Sequence, residues 1–141
     1  MFFSETQLIV RYAETDQMGI VHHSHYPVWF EAGRTDFIRK LGLPYSKIEQ
    51  MGYLLPLIEL KCTYKGAARY EDQITVKTMV KELTNTRVAF SYEVYRNSEK
   101  DCITYGETYH VWTDRQLKPL NLKKHQPDVF KLLESSLEGR G

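Results

Sequence analysis

Hydrophobic and polar positions follow two rhythms along this chain: a period of two in five stretches and a step of three to four in one. Thr6–Tyr12 alternates polar and apolar and predicts a first strand. A loop over Ala13–Val21 follows, carrying Asp16, Gln17 and Gly19. From Ser24 to Leu41 the step lengthens. Tyr26, Phe30, Gly33, Phe37 and Leu41 form an apolar stripe, widened by Trp29 and Ile38, with Glu31, Thr35, Arg39 and Lys40 off it. So broad and aromatic a stripe predicts a well-buried helix, stopped by Gly42 with Pro44 two residues on. Pro44–Met51 reads as a short second helix or turn, ended by Gly52.

Four strand-like stretches come next. Tyr53–Tyr64 contains Pro56, which implies a bulge or bend near its start. Gln73–Leu83 places Ile74, Val76, Thr78 and Val80 on one face, and Thr84-Asn85-Thr86 supplies a tight turn. Arg87–Arg96 alternates through Val88, Phe90, Tyr92 and Val94. Asn97–Asp101 is a polar turn, and Cys102–Thr113 is the last long strand. Beyond Leu117 the tail holds Pro119, Pro127 and a short amphipathic segment with Val129, Phe130, Leu132 and Leu133. Consecutive antiparallel strands need one face covered, and the long helix is the only element able to cover it. The expected fold is α+β: a curved antiparallel sheet of about five strands wrapped around one central helix, in a single domain over residues 1–141.

Composition narrows the function classes. An apolar fraction of 42% with 26% charged residues describes a globular chain rather than a disordered one. A net charge of +1 without a basic stripe argues against nucleic acid as partner. No apolar run is long enough to span a membrane, and residues 1–5 lack the features of a signal peptide, so a cytoplasmic location is expected. Cys62 and Cys102 lack metal or redox spacing and read as free thiols. The ten tyrosines exceed what a small core needs and suggest pockets and subunit interfaces.

The chemistry concentrates in Arg11–Arg34, RYAETDQMGIVHHSHYPVWFEAGR. Asp16 precedes a glycine turn, and the buried helix begins a few residues later. A helix start exposes unpaired N–H groups and partial positive charge, which suits a developing oxyanion, while a nearby carboxylate can activate water or attack a carbonyl. Those parts describe an ester or thioester hydrolase site. The same aspartate also fits a turn-capping role, and the residues alone leave both open.

The arrangement Asp16, Gly19, Val21, His23 and Tyr26, followed by Glu31 and Arg34 on the helix, resembles the active-site segment of the 4-hydroxybenzoyl-CoA thioesterase family of hotdog-fold enzymes. Chain length and strand order resemble that family throughout. The resemblance implies an acyl-CoA thioesterase with Asp16 as nucleophile or general base and the backbone N–H of His23 polarising the thioester carbonyl. It also implies that Tyr26 places the helix or lines the acyl pocket. His23 is similar to the histidine of the branch associated with the Tol-Pal gene cluster. The family implies a homodimer with active sites across the interface, usually paired into a homotetramer, and no cofactor. An acyl carrier protein is a possible alternative donor of the acyl group, and Lys61, Lys65, Arg69 and Arg87 are candidates for meeting CoA phosphates.

Other readings of the same residues are bland. His22, His23 and His25 invite a metal, but no fourth ligand has suitable spacing, so no metal site is expected. Gly33 inside the helix implies close packing against the sheet or a partner helix. Glu31 and Arg34 read as a surface or interface ion pair, with Glu31 a secondary catalytic candidate. Tyr12 and Trp29 read as core. The competing function is a non-catalytic hotdog module that binds acyl thioesters or a carrier protein. The His-with-acid motif of a hydroxyacyl-thioester dehydratase is not found.

Overall fold

Five strands form one antiparallel sheet in the computed structural model, which describes residues 1–43, 45–98 and 100–137. In chain order the elements are β1 (Ser4–Ile9), a single 3-10 turn (Tyr12–Glu14), α1 (His25–Lys40), α2 (Tyr45–Gln50), β2 (Leu57–Tyr64), β3 (Gln73–Leu83), β4 (Arg87–Arg96), β5 (Cys102–Val111), α3 (Leu122–His125) and α4 (Pro127–Leu137). The sheet order is β1-β3-β4-β5-β2, so β1 and β2 are its edges. No helix among the described residues is long and apolar enough to cross a membrane.

The inner face of the sheet is built by alternation. Ile74, Val76, Thr78 and Val80 on β3 and Val88, Phe90, Tyr92 and Val94 on β4 are all buried, as the period of two requires. Thr84 closes the β3–β4 turn, its hydroxyl accepting the N–H groups of Thr86 and Arg87. Against this face α1 lays Tyr26, Trp29, Phe30, Gly33, Phe37 and Ile38. Phe30 stacks on Tyr92 with ring centroids 4.4 Å apart, and Phe37 meets Phe90 edge-on at 5.9 Å. Gly33 is needed for this approach: a Cβ there would lie 2.9 Å from Val76 Cγ1. At the far end, Val129, Phe130 and Leu133 of α4 are buried, so the amphipathic tail closes the core beside Ile38 and Trp112.

Several boundaries differ from expectation. The first strand runs Ser4–Ile9 rather than to Tyr12, because Val10 turns to pair its backbone with Glu71 and Asp72. Tyr12 is consequently 76% exposed and packs on Tyr70, so the core reading of that residue is overturned, whereas Trp29 is buried. The irregularity expected near Pro56 is a register shift between Leu57 and Glu59. The β5 ladder ends at Val111, and Thr113 instead bridges Leu54 and Pro119. Pro44, expected to follow the helix stop, lies outside the described residues, as does Glu99 in the expected turn after β4.

Candidate active site

Asp16 opens a tight hairpin. The Gly19 N–H donates to the Asp16 carbonyl at 2.9 Å, and the Asp16 N–H donates to the Ile20 carbonyl at 2.9 Å. Gly19 has φ +79°, the left-handed conformation that closes such a turn with little strain only for glycine. The Asp16 side chain caps the same turn, its Oδ1 accepting the Met18 N–H at 2.8 Å. The DxxG spacing is therefore a turn with its own backbone logic. It leaves Asp16 half-buried, with one carboxylate oxygen held and the other receiving no hydrogen bond from the described residues.

The returning arm runs straight into α1. Thr15 bridges Val21, the His22 N–H donates to the Glu14 carbonyl, and the Val21 N–H donates to the Ala68 carbonyl. At the helix start the carbonyls of His22 and His23 accept from His25 and Tyr26. Pro27 has no N–H to leave unpaired there. The His23 N–H finds no acceptor among the described residues. Helix geometry gives that region partial positive charge. Asp16 and His23 thus lie at two ends of one hairpin-to-helix unit and share no hydrogen bond.

The side chains of His22 and His23 are exposed, their rings 4.1 Å apart, and His22 Nδ1 lies 2.8 Å from Ser24 Oγ. Among the described residues no group of three or more His, Cys, Asp or Glu side chains is arranged to hold a metal ion. Tyr26 is buried. Its hydroxyl accepts the Ala68 N–H at 3.3 Å, and its ring meets Trp29 and Tyr64 edge-on. Tyr64 reaches across from β2 to donate to the His23 carbonyl at 3.2 Å.

Glu14 escaped sequence reasoning. It is only 3% exposed, yet nothing in AETD distinguishes it from a solvated loop acid. Burial works to raise its pKa, and is outweighed by hydrogen bonds from the Arg11 N–H, the Trp29 indole and the Arg11 guanidinium, so the net shift is downward. The one available signal was Trp29, whose indole N–H needs a partner when buried. Asp36, buried on α1, was likewise unread; it accepts the Thr6 hydroxyl at 2.6 Å and pairs with Arg39 and Lys40, tying α1 to β1.

The remaining candidates disperse. Glu31 is exposed and makes no ion pair with Arg34 within the described chain, because Arg34 turns inward to Tyr92. Lys61 and Lys65 sit over the Tyr109 and Tyr105 rings on the outer side of the sheet, Arg69 lies in the β2–β3 loop, and Arg87 begins β4. Cys62 and Cys102 are free; Cys62 is opposite Gly106, not its fellow cysteine.

Comparison with known proteins shows the family and the fold. A sequence profile described as the thioesterase superfamily matches residues 18–103, a span that begins two residues after Asp16. YneP of Bacillus subtilis (strain 168), assigned as an acyl-CoA thioesterase, is 36% identical over 129 residues, covering 91% of this chain and 93% of that protein. The crystal structure of a DHNA-CoA thioesterase from Staphylococcus aureus superposes with a TM-score of 0.91 at 33% identity, covering 96% of this chain and 91% of the other. A hypothetical protein from Thermus thermophilus superposes at 0.87 with 36% identity, covering 96% and 98%. The chain belongs to the thioesterase superfamily, in the hotdog fold.

Proposed function

We propose that this chain hydrolyses acyl-CoA thioesters to the free acid and CoA, with Asp16 as the catalytic carboxylate and the His23 N–H as oxyanion donor. One observation carries the reading: among the described residues Asp16 is held through one oxygen and accepts nothing at the other, on a hairpin that feeds directly into a helix start where the His23 N–H finds no acceptor. YneP and the Staphylococcus aureus enzyme, both assigned to CoA thioesters, support the substrate class.

In this mechanism the thioester oxygen accepts from His23 N–H, where preorganised positive charge stabilises the tetrahedral oxyanion. As general base, Asp16 takes a proton from water while the water oxygen bonds to the carbonyl carbon. The C–S bond then breaks, and the departing CoA sulfur receives that proton. As nucleophile, Asp16 bonds to the carbon itself and expels the CoA thiolate, and water then cleaves the mixed anhydride. Heavy-oxygen water separates the routes, since only the nucleophilic one can place label in the Asp16 side chain. Neither route needs a cofactor. Tyr26 serves from behind, holding the helix start through Ala68 and backing the acyl site.

The working unit in this proposal is a homodimer built on β2, paired further into a tetramer, with residues 1–141 acting as one domain in the cytoplasm. The edge strand β2 is mostly exposed, and Leu60 and Tyr64, opposite the buried Thr108 and Thr104, reach past the cover of α1 on the inner side of the sheet. A strand with an open edge and an apolar row invites a partner. Tyr64 touches His23, so a second copy there would border the site.

The test is turnover by purified protein of acyl-CoAs graded in length and including aromatic acids, with an acyl-loaded carrier protein as a separate arm. Release of thiol from a CoA series is expected. Binding without hydrolysis across the panel would identify a non-catalytic module instead.

A further inference from the structure

Glu14 is more deeply buried than any other carboxylate among the described residues. A buried carboxylate is stable only when its lone pairs are met, and here the donors come from two different elements. Glu14 Oε1 accepts the Arg11 N–H at 2.8 Å. Glu14 Oε2 accepts the Trp29 indole N–H at 2.9 Å and the Arg11 guanidinium at 3.4 Å. Its backbone joins in: the N–H returns to the Arg11 carbonyl, and the carbonyl takes the His22 N–H. One residue therefore fastens the exit from β1, both arms of the hairpin that carries Asp16, and the second turn of α1.

We propose that Glu14 is a positioning residue for thioester hydrolysis, locking the Asp16 hairpin to α1 through Trp29. The proposal rests on the acyl-CoA hydrolase reading above. Asp16 is two residues from Glu14, and the oxyanion donor His23 follows the residue bonded to the Glu14 carbonyl. Glu14 thus helps join the two arms that carry the reacting groups. Among the described residues the Trp29 indole is the only side-chain hydrogen bond tying this hairpin to α1, so its loss frees the hairpin to shift against the helix while the rest of the core stays packed. A misplacement of about 1 Å in a reacting group can cost ~10²-fold in rate.

The experiment compares Glu14→Gln, Trp29→Phe, the double variant, Asp16→Asn and Val129→Ala on an acyl-CoA that the wild type turns over, with melting temperatures for each. A carboxamide has one acceptor oxygen for donors on both sides, the Arg11 N–H at one and the Trp29 indole with the Arg11 guanidinium at the other, so Glu14→Gln sets donor against donor. Trp29→Phe deletes the indole N–H and keeps an aromatic ring. Each is expected to lower kcat about 5-fold or more with KM changed by less than about 3-fold. The double variant should be no worse than Glu14→Gln, because the opposed donor is gone. Val129→Ala, in the α4 core, should lose melting temperature and keep its kcat. Smaller kcat losses in both Glu14→Gln and Trp29→Phe, with Asp16→Asn inactive, overturn the positioning role and leave the hydrolase reading standing. An equal kcat loss in Val129→Ala overturns it too, by showing that general destabilisation suffices. Trp29→Phe decides alone where Glu14→Gln does not fold. A wild type inactive on every acyl-CoA removes the hydrolase reading and this proposal with it.

Discussion

Arg34 donates from Nη1 to the Tyr92 phenol oxygen at 3.1 Å, joining α1 to β4 through the core. The bond begins a chain. Tyr92 Oη lies 2.6 Å from Thr108 Oγ1, Thr108 Oγ1 lies 2.9 Å from His110 Nε2, and His110 Nδ1 lies 3.2 Å from the Leu55 carbonyl. A carbonyl only accepts, so Nδ1 carries a proton, and in a neutral imidazole Nε2 then accepts from Thr108. Thr108 must then accept from Tyr92, and Tyr92 from Arg34. With His110 neutral, as its burial favours, the direction of every bond is fixed.

A pH dependence follows from that neutrality. Burial first, and the Arg34 charge second, lower His110 from 6.5 to about 4. Between those values the unfolded chain binds a proton that the folded chain refuses, so stability falls as pH drops through the window, by roughly 3 kcal/mol in all. Asp36 acts lower. Burial opposes its ionisation, but Thr6, Lys40 and Arg39 hold it down from 3.8 to about 2, so its contribution is present above 3.8 and lost below. The urea midpoint of the wild type should therefore decline from pH 7 to pH 4.5, and His110→Gln should decline much less over that range, from a lower start, keeping only the small loss from carboxylates such as Glu14 near its lower end. Parallel slopes would remove His110 as the cause.

Gly33→Ala sets two effects against each other. Helix propensity favours alanine by about 1 kcal/mol. The added methyl would meet Thr78 Oγ1 at 2.5 Å and Val76 Cγ1 at 2.9 Å, both on a buried strand that cannot retreat cheaply. Overpacking of this kind costs about 1–3 kcal/mol. Thermal unfolding should show a lower melting temperature; a higher one would mean that α1 rides farther from β3 in solution.

Leu60→Glu probes the open edge. The side chain is 39% exposed on β2, so the isolated subunit should tolerate the charge, while an interface across that strand would not. Light scattering at micromolar concentration should show the wild type as a dimer or tetramer and the variant shifted toward monomer. An unchanged mass for the variant would put the interface elsewhere.

Local pattern was enough for the elements that pair with their neighbours. The bounds of β3 and β4 match their alternation, because a short hairpin with both inner rows buried leaves one register that works. The turn at Asp16 closes within itself through Gly19, whereas the catalytic role proposed for Asp16 comes from the family resemblance and not from the spacing. The polar interior was not legible. Glu14 with Trp29, Asp36 with Thr6, and Arg34 with Tyr92 join residues 15, 30 and 58 positions apart, and each polar side chain alone looks ready for solvent. The end of β1 failed similarly, because Val10 is claimed by a loop some sixty residues away in sequence, a separation that no local period reports.

Asp16→Asn gives the central claim its most direct measurement. The amide oxygen can still accept the Met18 N–H, so the turn and the melting temperature should survive, and only the anionic group is lost. Thioester hydrolysis should fall by ~10²–10⁴-fold, or further if the carboxylate is the nucleophile. His23→Ala, which keeps its backbone N–H, should lose much less. The result that contradicts the account is a folded Asp16→Asn protein hydrolysing acyl-CoA within a few-fold of wild type, which would clear Asp16 and turn attention to Glu31.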